Sequence, residues 1–446
     1  MEIFKTYDIR GIWEEDINED IAEDLAKAIA SFCIQRNFLT IALARDARLS
    51  SPKIYKIVKE VLINQGLNIY ELDVIPTPVF YYSTIRLNAD FGIMITASHN
   101  PKEYNGIKMC FKKALPVRYE TGIDEIERIY NEKSFKSLNK RGKSVKADGI
   151  EFYCEHILNG FKAITLPFAV DVSNGPQAKV IYRLARELGI KPVILNGDID
   201  GNFPGHGPNP MESSSLKIVS EFVQKNELNF GVAFDGDGDR IIAVDEKGRI
   251  VPLDALFSLF IKHELLNNPG EKIYFDLRFS KVVEETILKY RGVPVKMRVG
   301  NVFYKEKLMK EGGLLGGELS GHIMFSRNYC IDDPVFSMLI LLQIIKSEKK
   351  PLSEILDEFD HFFKSEEINI KVKNPDEVFD GIKKEFERCD FEYIDGMSVY
   401  CKGFWFNIRK SNTEPYVRIN IEVDSEDILE EKKNEIVKLI NHLDKS

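Results

Sequence analysis

Three segments of this chain repeat one order of features: an apolar strand, a loop containing an aspartate, an amphipathic helix, a glycine turn and a second apolar strand. That order is typical of a βαβ unit, in which a helix crosses between two parallel strands. The segments span residues 40–74, 168–195 and 273–297, with helices predicted at 54–63, 178–188 and 281–290. The repetition predicts three successive related α/β domains with mixed, mostly parallel sheets.

The C-terminal part of the chain departs from this pattern. Strands are predicted at 368–372, 391–394, 397–401, 404–409 and 416–423, with helices at 375–389 and at the end. Asp395-Gly396 is typical of a two-residue hairpin turn. These features predict a smaller C-terminal α+β domain. A length of 446 residues suggests three or more domains. With the C-terminal domain we expect four, at 1–145, 146–248, 249–362 and 363–446, with linkers near 140–149, 246–248 and 346–351.

Charge and cysteine usage exclude several classes of protein. Lys plus Arg number 61 against 70 Asp plus Glu, and the net charge of -9 argues against sequence-independent binding of nucleic acid. The six cysteines form no CxxC pair, which favours reduced thiols over a disulfide framework or a zinc site. The longest apolar run, Val335 to Ile345, is too short to span a membrane, and the amino terminus lacks the apolar core of a signal peptide. We therefore expect a soluble, cytoplasmic protein.

A serine follows the apolar strand predicted at 91–95, in the hexapeptide Thr-Ala-Ser-His-Asn-Pro that ends at Pro101. A strand end that projects into a polar loop is where α/β proteins hold reactive groups. Asn105-Gly106 adds a further turn signal. Ser98 is therefore a candidate nucleophile, and Lys108 a candidate for proton transfer. The alternatives are a plain Ser/Asn turn and a solvated lysine.

An acidic loop lies in Phe-Asp-Gly-Asp-Gly-Asp-Arg, residues 234–240. Asp235, Asp237 and Asp239 alternate with glycines that allow sharp turns, so their carboxylates can converge on one divalent cation. An EF-hand is opposed because Arg240 stands where that loop needs glycine and because the flanks read as strands. A solvated acidic turn is less favoured, since clustered carboxylates repel without a counterion. We interpret the loop as a magnesium site.

Two later loops carry ligand-binding chemistry. In Gly-Gly-Glu-Leu-Ser-Gly-His, residues 316–322, the side chains of Glu318, Ser320 and His322 suit sugar hydroxyls. The alternative is a glycine-rich connecting turn. A dense donor array follows near the C terminus, of the kind that holds a phosphate dianion, and its alternative is an ordinary basic hairpin loop. That array consists of Arg409, Ser411, Asn412, Thr413 and Arg418.

These four loops, in the order nucleophile, metal, sugar and phosphate, resemble the α-D-phosphohexomutase superfamily, specifically its bacterial and archaeal phosphomannomutase/phosphoglucomutase branch. The resemblance runs from the Thr-Tyr-Asp-Ile-Arg-Gly segment ending at Gly11 to Arg418, and it includes Asp198 to Pro210. It implies four domains around a central cleft. It also implies interconversion of hexose 1-phosphate and hexose 6-phosphate, of mannose or glucose, through a phosphoserine and a hexose 1,6-bisphosphate.

The resemblance also implies individual roles. Ser98 would be the phosphoserine and would bind Mg²⁺ together with the three aspartates of the acidic loop. Arg10, which by itself reads as an arginine in a turn with a surface ion pair, and His99 would flank Ser98. Arg240 would lie beside the metal and Lys108 would act as general acid or base. Glu318, Ser320 and His322 would hold the sugar, and the C-terminal donor array would hold the phosphate that does not react.

One departure from the family pattern concerns Arg298. Many relatives carry Lys or Thr before the glycine that corresponds to Gly300, whereas this chain has Arg298, which is a candidate for contact with sugar or phosphate. Leu319 favours the mannose and glucose branch over phosphoglucosamine mutase, which usually has Gln there.

A metal-dependent sugar phosphatase and a non-enzymatic binding protein are two further hypotheses. The expected partners are small sugar phosphates, with no nucleic acid and no membrane, and the chain is expected to be a monomer or a homodimer.

Overall fold

The computed structural model describes residues 3–359, 363–410 and 416–444. The chain divides into two compact units. Unit 1 comprises Met1–Pro252, Leu308–Glu311 and Ser320–Ile355, and unit 2 comprises Leu253–Lys307, Gly312–Leu319 and Leu356–Ser446. The bounds of the four domains stay a prediction.

Unit 1 begins with a mixed sheet of seven strands in the order β1-β5-β4-β2-β3-β7, with β6 paired to β5. β4, β2, β3 and β7 run parallel, and β1, β5 and β6 pair antiparallel. β4 is buried at every position, which explains its unbroken apolar sequence. The elements are β1 (Asp8–Ile12), α1 (Glu19–Gln35), β2 (Thr40–Arg45), α2 (Ser51–Asn64), β3 (Asn68–Val74), α3 (Thr77–Arg86), β4 (Phe91–Ile95), β5 (Tyr104–Phe111), β6 (Leu115–Pro116), α4 (Ile123–Glu132) and β7 (Ser144–Lys146).

The second sheet of unit 1 has four strands in the order β11-β10-β8-β9. β9, β8 and β10 run parallel, and β11 pairs antiparallel with β10. Each predicted βαβ repeat of unit 1 is confirmed, because β2 and β3 pair parallel, as do β8 and β9. The elements are α5 (Gly149–Gly160), β8 (Pro167–Asp171), α6 (Gln177–Leu188), β9 (Lys191–Leu195), α7 (Ser213–Lys225), β10 (Phe230–Phe234) and β11 (Ile241–Asp245).

The third repeat is confirmed in unit 2, where β12 pairs parallel with β13 and with β14. In unit 1, β15 and β16 form an antiparallel pair followed by α11, which is buried almost throughout and contains the long apolar run. The described part of the chain holds no helix that is both long and apolar enough to span a bilayer. The elements are α8 (Leu253–Leu265), β12 (Lys272–Asp276), α9 (Lys281–Lys289), β13 (Val293–Met297), α10 (Asn301–Glu311), β14 (Leu315–Gly317), β15 (Ile323–Phe325), β16 (Ile331–Asp332), α11 (Pro334–Glu348) and α12 (Leu352–Leu356).

Unit 2 ends in an antiparallel sheet in the order β17-β22-β21-β20-β19, with β18 paired to β22. The packing of α13 and α14 against this sheet buries a separate apolar core. The predicted α+β domain is confirmed. The elements are β17 (Phe363–Lys364), β18 (Ile368–Lys371), α13 (Pro375–Glu385), β19 (Asp390–Glu392), β20 (Met397–Cys401), β21 (Phe404–Lys410), β22 (Tyr416–Val423) and α14 (Leu429–Leu443).

Three sequence expectations were wrong about loops. Asn105-Gly106 lies inside β5, where a Cβ on Gly106 would stand 2.2 Å from the backbone oxygen of Ile9, so the glycine allows close approach of β1 rather than a turn. Arg10 lies in β1 opposite Gly106 and not in a turn. The predicted linker 140–149 contains β7, which pairs with β3 and extends the first sheet.

The expectation that all cysteines are reduced was also wrong. Cys389 and Cys401 form a disulfide, with Cα atoms 4.9 Å apart. The antiparallel pairing of β19 with β20 places Asp390 opposite Tyr400. The same register places Cys389, just before Asp390, next to Cys401, just after Tyr400. Spacing alone did not indicate the pair, because the two cysteines are twelve positions apart on either side of a hairpin. The remaining cysteines, Cys33, Cys110, Cys154 and Cys330, are buried and take no part in this disulfide.

Candidate active site

Ser98 lies in the loop that follows β4, at the carboxyl end of the parallel strands of the first sheet. Its backbone has a φ of 52°, in the left-handed region that side chains other than glycine rarely adopt. The side chain is nearly buried, with 3% of the residue exposed. Its Oγ donates a 3.0 Å hydrogen bond to Asp235 Oδ2 and lies 3.3 Å from His99 Nδ1. Strained backbone persists only where its surroundings fix it.

Arg48 holds the Ser98 loop in place through hydrogen bonds, and the sequence analysis did not predict this role. The residue is fully buried, and its guanidinium donates to the backbone oxygens of Ser98 and Asn100, both at 2.7 Å. It also donates to the backbone oxygens of Pro101 at 2.6 Å and Tyr104 at 3.1 Å. Its Nε donates to Asp46 Oδ2 at 3.0 Å. One planar fork of donors thus holds the loop in shape.

The acidic loop connects β10 and β11. Asp235, Asp237 and Asp239 are all buried, and one carboxylate oxygen from each lies within 4.8 Å of the others. Gly238 turns the chain with a φ of 72°, which lets Asp239 N donate to Asp235 Oδ1 at 2.8 Å. The strands predicted on either side of this loop are confirmed, so an EF-hand is excluded.

Lys108 extends from β5 to the same carboxylates. Its Nζ lies 2.9 Å from Asp237 Oδ2 and 2.6 Å from Asp239 Oδ2. Thr77 and Thr96 donate to the same Asp237 oxygen at 2.8 and 3.2 Å. The Oδ2 atoms of both aspartates are therefore occupied by donors of the chain.

The Oδ1 atoms of Asp237 and Asp239 remain for a ligand. Both are buried and have no hydrogen-bond partner among the described residues. Buried carboxylate oxygens without a donor are unfavourable unless a cation or water satisfies them. Carboxylate oxygens are also the ligands that hard divalent cations prefer. The triad therefore fits a metal ion of the Mg²⁺ type.

The pKa values of Asp235 and Asp237 in this loop are shifted in opposite directions. Burial, together with Asp239 and Asp237, raises the pKa of Asp235 well above its usual value. Burial would raise the pKa of Asp237 as well, but Lys108 holds it below its usual value. Burial disfavours the Lys108 ammonium, yet Asp237 and Asp239 raise its pKa well above normal. Lys108 is thus protonated.

Two histidines and two arginines surround Ser98 and the triad. Burial and the charges of Arg240 and Arg10 lower the pKa of His99 to about 2. Burial lowers the pKa of His322 to about 3, although Asp239 opposes this. Both imidazoles are therefore neutral at physiological pH and can donate or accept hydrogen bonds.

Arg10 and Arg240 are held by local partners. Arg10 donates to Asn100 Oδ1 at 2.5 Å and pairs with Asp8. Arg240 Nε lies 3.9 Å from Asp235 Oδ2 and has no hydrogen-bond partner among the residues that the structure describes. Unit 1 thus brings together every residue predicted around Ser98 and the acidic loop.

The predicted sugar loop crosses from unit 2 into unit 1. In unit 2, Glu318 Oε1 accepts a 3.1 Å hydrogen bond from Gly300 N and lies 3.7 Å from Arg278 Nη2. In unit 1, His322 Nδ1 lies 3.8 Å from Asp239 Oδ1. Ser320 Oγ is buried without a hydrogen-bond partner in the described parts of the chain, so it can serve a ligand. Arg278 was missed, although it lies two residues after Asp276 at the end of β12, just as Arg48 lies two residues after Asp46, which follows β2.

The predicted phosphate residues lie in unit 2, and the structure describes only two of them. Arg409 and Arg418 are opposite one another on β21 and β22, and both pair with Glu367, which the sequence did not indicate. Arg298 is exposed, and its guanidinium lies 4.5 Å from the centre of the Phe303 ring. Ser411, Asn412 and Thr413 lie outside the described residues.

Profiles of one protein family match nearly the whole chain. They are described as phosphoglucomutase/phosphomannomutase alpha/beta/alpha domains I, II and III and the C-terminal domain. They match residues 1–137, 151–248, 252–362 and 367–439.

Individual proteins match over most of their lengths. A phosphomannomutase of Methanocaldococcus jannaschii is 37% identical, covering 100% of this chain and 98% of the relative. A phosphomannomutase/phosphoglucomutase of Pseudomonas aeruginosa is 32% identical, covering 97% and 94%. The crystal structure of a phosphoglucomutase/phosphomannomutase family protein from Burkholderia thailandensis superposes with a TM-score of 0.91 at 29% identity, covering 99% and 97%.

Proposed function

We propose that this chain, which belongs to the phosphoglucomutase/phosphomannomutase family, is an enzyme that moves a phosphoryl group between C1 and C6 of a hexose phosphate. Mannose and glucose phosphates are the proposed substrates, because the relatives described above carry the names of mannose and glucose mutases. The observation that carries the proposal is the hydrogen bond from Ser98 Oγ to Asp235, beside a buried carboxylate triad.

Ser98 is the proposed phosphoryl carrier. In the transfer, the bond between phosphorus and Ser98 Oγ breaks, a bond from phosphorus to a sugar hydroxyl oxygen forms, and the proton of that hydroxyl ends on Ser98 Oγ. Lys108 is protonated and would relay this proton: it would give its own proton to Ser98 Oγ and take up the proton of the sugar hydroxyl, so that one proton moves overall. Arg10 and His99 would orient the phosphoryl group. The reverse transfer, from the other oxygen of a hexose 1,6-bisphosphate, would restore the phosphoserine.

Asp235, Asp237 and Asp239 would hold Mg²⁺ together with an oxygen of the Ser98 phosphoryl group. The ion would neutralise part of the negative charge that the phosphoserine adds and stabilise charge in the transfer. Arg240, whose Nε lies near Asp235, would bind the substrate beside this site. The remaining chemistry is positioning, which phosphoryl transfer mostly requires.

The sugar and the non-reacting phosphate would be held by the later loops. Glu318, Ser320 and His322 are the proposed contacts to sugar hydroxyls. Arg409 and Arg418, with Ser411, Asn412 and Thr413, are the proposed phosphate contacts. Arg298 is a further proposed contact to the substrate. Small sugar phosphates would be the partners, the cytoplasm the compartment, and a monomer or homodimer the assembly.

The experiment that tests this function measures both the protein and its products. Intact mass spectrometry of the purified full chain, before and after incubation with glucose 1,6-bisphosphate, should show one phosphoryl group that maps to Ser98. Glucose, mannose and glucosamine 1-phosphates should be assayed side by side with Mg²⁺. Isomerised sugar phosphate with almost no free phosphate supports the mutase. Stoichiometric free phosphate would establish a phosphatase, and a strong preference for the amino sugar a phosphoglucosamine mutase.

A further inference from the structure

Two arginines of the proposed phosphate site face each other on neighbouring antiparallel strands. Arg409 of β21 and Arg418 of β22 are direct partners in the antiparallel register. Like charges directly opposite on paired strands are destabilising. The pair therefore needs an anion between its guanidinium groups, and this need exists before any substrate binds.

Glu367 supplies that anion in unit 2. Its Oε2 lies 2.6 Å from Arg409 Nη2, and its Oε1 lies 3.5 Å from Arg418 Nη1. Asn420 Nδ2 donates to Oε2 at 3.4 Å, and Arg278 Nη1 lies 3.6 Å from the same oxygen. Although burial opposes ionisation, Arg409, Arg278 and Arg418 hold the pKa of Glu367 below its usual value. One carboxylate is thus shared by three guanidinium groups.

We propose that Glu367 is a resident counter-anion that the non-reacting phosphate of the substrate must displace from Arg409 and Arg418, and that it thereby sets the affinity for that phosphate. The proposal rests on the proposed function, which assigns these arginines to phosphate.

Guanidinium donors that Glu367 leaves unused indicate that phosphate replaces this carboxylate, rather than that Glu367 only positions the arginines. The Nε atoms of Arg409 and Arg418 are buried and have no hydrogen-bond partner among the described residues, so Glu367 leaves part of each guanidinium unsatisfied. A phosphate dianion carries about twice the charge of a carboxylate and has three oxygens for these donors. The Arg418 side chain is 35% exposed and so open to an incoming anion.

Exchange also has a use in the proposed reaction. A bisphosphate that must turn around has to leave its phosphate contacts between the two transfers. When phosphate leaves, the positive charges of Arg409 and Arg418 would again face each other without a counter-anion. The return of Glu367 to both would stabilise the empty site and so favour release.

The test is to titrate inorganic phosphate into the full chain and to measure binding through the rise in melting temperature. EDTA is present so that no metal contributes. Glu367→Gln keeps the shape of the side chain and removes its charge. We expect phosphate to bind this variant about tenfold more tightly at low ionic strength, with a smaller gain at high salt. Glu366→Gln removes the same charge from the exposed neighbouring residue and should leave the affinity within about twofold of the wild type.

Glu367→Asp separates charge from contact, and it keeps the test decisive if Glu367→Gln fails to fold. If Glu367 is a competing anion, the Asp variant keeps its charge near the arginines and binds phosphate with roughly wild-type affinity. If Glu367 only positions the arginines, the shorter side chain loses its contacts and phosphate binding weakens. Weaker binding by either variant overturns the proposal.

Arg418→Met tells failure of this inference from failure of the proposed function. If phosphate binds Arg418→Met as tightly as the wild type, these arginines are not the phosphate site, and both the assignment and the inference fall. If Arg418→Met binds phosphate weakly while Glu367→Gln shows unchanged affinity, the phosphate site stands and only the role of Glu367 is wrong.

Discussion

The Ser98 hydroxyl donates a 3.0 Å hydrogen bond to Asp235, so the proposed phosphoryl carrier and the proposed metal site meet at one carboxylate oxygen. The serine is nearly buried, and its backbone is held in a left-handed conformation. A nucleophile fixed in this way needs little rearrangement before it reacts.

Ser98→Ala removes the oxygen on which the covalent relay depends. We expect turnover of glucose 1-phosphate to fall by about a thousandfold or more, because the oxygen that would carry the phosphoryl group is lost. Steady-state kinetics and intact mass spectrometry measure the two consequences. The exposed Ser134 provides a matched control, since Ser134→Ala should keep both turnover and phosphorylation. Substantial activity in Ser98→Ala would show that the carrier is another residue.

Asp237→Asn tests the metal site. The substitution removes one of the three carboxylates, so the Mg²⁺ concentration for half-maximal activity should rise by at least about tenfold. EDTA should abolish the activity of the wild-type chain, and Mg²⁺ should restore it. Asp198→Asn changes an exposed aspartate of the same unit and should leave the Mg²⁺ dependence unchanged. An unaltered Mg²⁺ dependence in Asp237→Asn would rule out the triad as the site.

The repeated βαβ pattern was sufficient to predict all three parallel strand pairs, because each strand and helix is encoded by nearby residues. The predicted strands at 91–95 and 293–297 coincide with β4 and β13. The disulfide and the strand position of Asn105-Gly106 were not predictable, since both depend on which strand lies alongside. Short-range signals do not carry that information.

Some residues of the candidate site could likewise be predicted from the sequence, and others could not. Ser98 and the three aspartates belong to short continuous motifs, and the structure brings them together in unit 1. Arg48 and Glu367 act on residues far away in the chain. Arg48 contacts backbone oxygens of the Ser98 loop, and Glu367 contacts arginines of two strands. Nothing in their neighbouring residues marks them, so only the fold identifies their partners.

Arg48→Met tests whether the buried guanidinium holds the Ser98 loop. The substitution leaves Asp46 buried without its ion-pair partner and several backbone oxygens without a donor. Loss of one partner of a buried pair lowers the free energy of unfolding by about 3–5 kcal/mol. Chemical unfolding should show this loss.

Arg45→Met is the matched control for Arg48→Met. Arg45 pairs with Asp73, whose side chain is 68% exposed, and such a pair contributes about 1 kcal/mol or less. Equal unfolding free energies for the two variants would contradict the structural role of Arg48.

Glu422→Gln tests a pH effect on the stability of unit 2. Burial raises the pKa of Glu422 to about 7, and Lys364 only partly opposes this. The folded state therefore holds a proton that the unfolded state has lost between about pH 4.5 and pH 7, so this group makes stability fall as the pH rises through that range. The effect amounts to roughly 3 kcal/mol at most. Melting temperatures of both proteins at pH 5 and pH 8 measure it.

Glutamine stays neutral and can still accept hydrogen bonds at the oxygen that Ser280 and Lys281 N contact. The variant should therefore be about as stable as the wild type at pH 5 and more stable at pH 8, where the wild type carries a buried charge. Glu366→Gln, at an exposed position, should follow the wild type at both pH values. A variant whose advantage is largest at pH 5 would reverse the sign of the linkage and show that Glu422 is stabilised as the carboxylate.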